Sequence, residues 1–162
     1  MAKDTLIDAL EIQLELLEEF CTLLSSETGE LAAIHLDAMA EINSRKENIS
    51  TRIEAHSTVL RRELGNAAAR EGLSPKATLG ELAELYKRKG KNDVPRLHRE
   101  LNRYAGKVRE IAAVNRDIAE RFAASIADSL TLLTRLINQS SVYGTGGYTQ
   151  QRVGAVMINR EA

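Results

Sequence analysis

Between Pro95 and Gln139, seam positions recur at Leu97, Leu101, Tyr104, Val108, Ile111, Asn115, Ile118, Phe122, Ser125, Ser129, Leu132 and Leu136. The steps alternate four and three, which is the period of one seam along a long helix. Neither Pro nor paired Gly interrupts it, and Gly106 alone costs about 1 kcal/mol relative to Ala. At about 1.5 Å per residue such a helix would reach roughly 65 Å, beyond the breadth of a compact globule. Its seam therefore needs partners of comparable length.

The upstream chain offers them. Thr5 is a plausible helix start, with Asp4 as a cap and Asp8 in the first turn. Ile7, Leu10, Leu14, Leu17, Cys21 and Leu24 then keep a three–four spacing, and Leu16, Phe20 and Leu23 widen the apolar face enough for two neighbours. A weak point is expected at Ser25–Gly29, although Leu31 continues the count. Met39, Ile42, Lys46, Ile49, Ile53, His56, Leu60 and Leu64 form the next run. Within it Lys46 is expected to reach water along its aliphatic stem, and His56 to be a hydrogen-bonded seam residue. That helix ends at Gly65-Asn66 or continues through the alanines to Gly72. Ser74-Pro75 reads as a turn. Thr78 with Glu81 reads as a capping box that opens a short helix with Leu79, Leu82, Leu85 and Tyr86 inward, closed by Lys87-Arg88-Lys89-Gly90. Asp93 can cap the long helix, and Pro95 is acceptable in its first turn.

Toward the end of the long helix a further stripe joins the seam: Ile126, Leu130, Leu133 and Ile137. With Leu132 and Leu136 it makes the last four turns apolar around more than half the circumference. Two readings stand: burial among three neighbours, or a surface kept for another protein's helix. From Ser140 the character changes. Residues 140–148 hold three Gly and little apolar mass, with Val153, Val156, Met157 and Ile158 close to the end. The expected organisation is all-α: an elongated antiparallel bundle of long coiled-coil-like helices over 1–139, and a flexible C-terminal tail over 140–162.

Composition supports long helices, with 28% charged residues, 4% aromatics, two Pro and no Trp. The formal net charge of −1 hides an uneven spread: residues 1–60 carry 12 acidic and 4 basic side chains, and residues 86–109 carry 9 basic and 2 acidic. Neighbouring helices that complement one another explain this, with a basic partner-binding patch as the alternative. The single Cys21 cannot make an internal disulfide and is expected to be a small buried side chain. The N-terminus shows no apolar leader and no run approaches a membrane span, so a soluble, cytoplasmic chain without membrane insertion is expected.

Candidate chemistry is sparse. The tail glycines lack the Lys-Ser/Thr of a phosphate loop. His35, His56 and His98 share no ligand spacing with each other or with Cys21, so neither metal nor another cofactor is expected. No nucleophile–base set suggests an enzyme. Lys87–Lys91 with Arg96, Arg99 and Arg103 could touch phosphates, but Tyr86 and Tyr104 do not form a stacking platform, and nucleic acid is not expected.

The acidic first helix followed by Leu36-Asp37-Ala38-Met39 and Glu41-Ile42-Asn43-Ser44-Arg45-Lys46 resembles the FlgN-like flagellar export chaperones. So do the run from Val108 to Arg116, the segment Val142-Tyr143-Gly144 to Gly147, and the close from Gly154 to Arg160. The resemblance covers nearly the whole chain. It implies a cytosolic type III export chaperone that holds the C-terminal helical segments of flagellar hook-associated proteins and delivers them to the export apparatus. Carried over, it places partner binding at Leu130, Leu133, Ile137, Tyr143, Tyr148, Val156, Met157 and Ile158, with the tail as part of the binding region. The competing reading is a self-associating coiled-coil adaptor or structural subunit. Pairing of the chain with a second copy is open under either.

Overall fold

A computed structural model describes residues 5–140, the side chains of Gln139 and Ser140 excepted. Four helices appear: α1 (Thr5–Ala33), α2 (Leu36–Arg70), α3 (Leu79–Arg88) and α4 (Asp93–Ser140). No strand occurs among the described residues, and the architecture is all-α. The chain divides into two units, one ending at Phe122 and one beginning at Ala123.

In the first unit α1 and α2 run antiparallel. Thr5 Oγ1 donates to Glu63 Oε2 at 2.8 Å, Arg52 Nη1 lies 2.9 and 3.1 Å from the two oxygens of Glu19, and Lys46 Nζ meets Glu27 Oε1 at 2.5 Å. Two carboxylates of the acidic α1, Glu19 and Glu27, are thus met by cations of α2. The basic run finds Glu71 through Lys89, and that contact holds the Glu71 carboxyl below the usual carboxylate range. His56 Nε2 lies 2.8 Å from the Ala9 carbonyl, so that nitrogen carries the proton and donates, as expected for a seam histidine.

The core has two centres. One gathers all four elements: Leu6 and Leu10 of α1, Ala67 of α2, Leu82, Ala83 and Tyr86 of α3, and Val94, Leu97 and Leu101 of α4. The other joins Leu23 to Ile42 and Ile49, flanked by Phe20 and Ile53. The short α3 is the corner between the end of α2 and the start of α4. Its start is the expected capping box: Thr78 Oγ1 accepts from the Glu81 amide at 3.2 Å, and the Thr78 amide donates back to Glu81 Oε2 at 2.7 Å. Those bonds lower the Glu81 pKa, the backbone one most.

Three helix ends use one device. After α2, Leu73 N donates to Ala68 O and Gly72 N to Ala69 O, with Gly72 at φ 74°. After α3, Lys91 N donates to Tyr86 O and Gly90 N to Lys87 O, with Gly90 at φ 73°. These are the paired bonds that a left-handed residue past a helix end permits. After α1, His35 N donates to Glu30 O and Ile34 N to Leu31 O, but the left-handed position is held by Ile34 at φ 57°. A β-branched residue there is strained.

Several expectations are corrected. α1 does not weaken at Ser25–Gly29. The hydroxyls of Thr22, Ser25, Ser26 and Thr28 turn back onto carbonyls four residues earlier, at 2.9–3.2 Å, which the helical backbone tolerates. The break comes at Ile34-His35 instead, so α1 and α2 are separate. Of the two ends open for α2, the later one holds: the helix passes Gly65 and runs to Arg70. Lys46 does not simply extend to water, because Glu27 takes its ammonium. Cys21 is half-buried, not enclosed. Asp93 is the first residue within α4, and Asn92 O accepts from the Arg96 amide in the capping position. Asp4 lies outside the described residues.

Candidate functional site

The long seam of α4 changes environment without changing period. Leu97, Leu101 and Asn115 are buried, and Tyr104, Val108, Ile111, Ile118 and Phe122 are half-buried. Beyond Phe122, Ser125, Ser129, Leu132 and Leu136 are all exposed. The added stripe is exposed as well: Ile126 45%, Leu130 59%, Leu133 54% and Ile137 68%, with Leu132 at 57% and Leu136 at 53%.

At about 100° per residue these six aliphatic side chains and the two serines fill an arc of about 160°. Ala123 and Ala127 carry it past half the circumference. Asp128 and Arg135 are the only charged residues of 123–140 and lie on the opposite side. A solvated helix ordinarily sets its polar side chains over a broad face, so six half-exposed Leu and Ile on one arc are the kind of patch that marks an interaction surface. Covering what remains exposed, at about 1.5–3 kcal/mol per fully buried Leu or Ile, would contribute roughly 5–9 kcal/mol before ordering costs.

Of the residues expected to bind a partner, Leu130, Leu133 and Ile137 share this face. Tyr143, Tyr148, Val156, Met157 and Ile158 lie outside the described residues.

A second constellation, in the first unit, escaped the sequence reading. Asn115 is 4% exposed. Its Nδ2 donates to Leu24 O and to Glu27 Oε2, both at 2.9 Å, and its Oδ1 accepts from Thr28 Oγ1 at 2.6 Å. Glu27 is 6% exposed, and its other oxygen takes the Lys46 ammonium. Side chains from α1, α2 and α4 thus close one polar network inside the bundle. The available signal was Lys46 and Asn115, each a polar residue flanked by apolar seam positions.

The basic stretch engages its own aromatics. Lys91 lies 5.0 Å from the Tyr86 ring centre, and Arg103 and Lys107 lie 4.6 and 5.3 Å from that of Tyr104. Among the described residues no group of three His, Cys, Asp or Glu gathers as metal ligands, and no helix is long and apolar enough to cross a membrane.

No curated protein and no solved structure matches the chain at a significant level. A family model does, over residues 1–151, and its description is FlgN protein. That match takes in the whole first unit and all of α4. The chain belongs to the FlgN family of flagellar chaperones.

Proposed function

We propose that this chain is a cytosolic export chaperone that holds the C-terminal helical segments of hook-associated proteins and hands them to the type III export apparatus. The carrying observation is the change at Phe122: the apolar positions of α4 continue, but their burial stops. A client's amphipathic helix laid along Leu130, Leu133 and Ile137 would exclude water from a face that carries no charge. Tyr143, Tyr148, Val156, Met157 and Ile158 would add apolar contacts to the grip. The binding energy is hydrophobic and spread over many side chains, which suits a grip that must be released.

The test is titration calorimetry with a synthetic C-terminal helix of a hook-associated protein. Leu130→Asp with Leu133→Asp should weaken binding by more than tenfold while leaving helicity intact, because both side chains are exposed in the free protein. Truncation after Gln139 should also weaken binding. Full affinity in both variants would remove the assigned surface.

A further inference from the structure

We propose that the tip of the α1–α2 hairpin is a second docking point, at which Ile34 and Leu36 seat in an apolar socket, rimmed by Lys and Arg, on the export apparatus. That the socket belongs to the apparatus rests on the chaperone reading. The choice of residues does not, because the client arc lies in the second unit and the tip in the first.

The stability of the isolated chain does not account for this tip. Its left-handed position is held by Ile34 at φ 57°, where Gly or Asn would sit with less strain. The side chain gains little burial in return, since Ile34 is 54% exposed and Leu36 69%. In a helix end of this kind the residue after the left-handed one commonly packs back on the last turn through an apolar contact. Here His35 stands in that place, and its Nδ1 donates to Glu30 Oε2 at 2.7 Å. With His35 engaged there, α2 begins without a side-chain cap. The Ile34 amide donates to Leu31 O and the Met39 amide to His35 O. Two large aliphatic side chains are thus held outward on a braced turn. Local choices that weaken a fold, gathered at one exposed place, point to a use outside the chain.

Charge defines the partner's chemistry. Between Lys3 and Arg45 the sequence holds no Lys or Arg. The hairpin's charges nearest the tip are Glu30, Asp37 and Glu41. Asp37 and Glu41 are both exposed and stand four apart on one face of α2, a like-charged pair that weakens the helix slightly. An apolar hollow ringed by cations complements this rim, whereas nucleic acid or anionic lipid would be repelled by it. Two side chains on a turn offer a small area, so the contact is brief, as suits a carrier that must leave.

The full chain is sedimented with inverted membrane vesicles from cells that assemble the export apparatus, and with vesicles from cells that lack it. The parent should travel with the first kind alone, and less so as salt is added. Ile34→Asn removes the apolar side chain but accepts the left-handed turn. Leu36→Gln removes the other without changing charge. Each should lower the sedimented fraction by about fivefold or more, and so should Asp37→Lys with Glu41→Lys. Affinity for the client helix in calorimetry should stay within about twofold of the parent, and Ile34→Asn should unfold at no lower urea concentration. Equal sedimentation with both kinds of vesicle, indifference to salt, or a client affinity that falls in the tip variants would each overturn the proposal. Tip variants that dock in full while the parent holds the client helix would remove this docking alone. A parent that binds neither client helix nor apparatus vesicles would remove the chaperone reading and the docking together.

Discussion

Substituting Asn115 tests how α1, α2 and α4 are held in register. The side chain is 4% exposed and gives one hydrogen bond to a buried carboxylate, Glu27 Oε2, at 2.9 Å. Truncation to Ala removes that donor while the Lys46 ammonium remains on the other oxygen. The Thr28 hydroxyl can fall back on Leu24 O, which already lies 3.1 Å away. A hydrogen bond to a charged group contributes about 1.5–3 kcal/mol, so Asn115→Ala should cost about 2–3 kcal/mol. For a chain of this size that lowers Tm by roughly 5–10 °C. Asn115→Asp keeps the shape but sets a second carboxylate against Glu27, with one lysine between them. One proton is then held more tightly in the folded state than in the unfolded state, so a carboxyl pKa rises on folding. Stability relative to the parent should accordingly recover as pH falls through that raised value and be lost as pH increases. Urea unfolding followed by circular dichroism, at about pH 5 and about pH 8, reads both effects. An Ala variant within about 0.5 kcal/mol of the parent, or an Asp deficit equal at both pH values, would refute the network's role.

Three further outcomes are expected. Ile34→Gly should raise stability by about 0.5–1 kcal/mol, since relief of a left-handed β-branched residue outweighs the entropy of glycine; a loss in urea unfolding would count against strain at φ 57°. Thr78→Ala should cost about 1 kcal/mol through the lost cap of α3, seen as faster amide exchange over Leu79–Arg88. Glu81 and Glu71 have lowered pKa values, from the Thr78 amide and from Lys89 respectively. Their contribution is complete above the usual carboxylate range and disappears as pH falls through the lowered values, so the α3 corner should lose exchange protection in acid, and Glu81→Gln should flatten that response.

Much of this fold is legible as periodicity. The seam of α4 and the capping box of α3 follow from residue spacing and local hydrogen-bond chemistry, and both stand in the structure. The end of α1 was not legible, because its left-handed residue is Ile34 where the chemistry of helix ends favours Gly. The hydroxyl-rich stretch before it looked weaker than it is, since its side chains return to their own helix. Lys46 and Asn115 were visible as polar interruptions. Their partner Glu27 was not, because which α1 carboxylate faces inward depends on how three helices meet. The loss of burial after Phe122 leaves no mark in the period, and only the second stripe of Ile126, Leu130, Leu133 and Ile137 hinted at it.

The arc beyond Phe122 contains no ionisable side chain. A shift in proton concentration finds no group on the arc to titrate, and screening by salt finds no charge there to weaken. On the proposed function, a client segment would leave this surface to a better oily partner or under a pull.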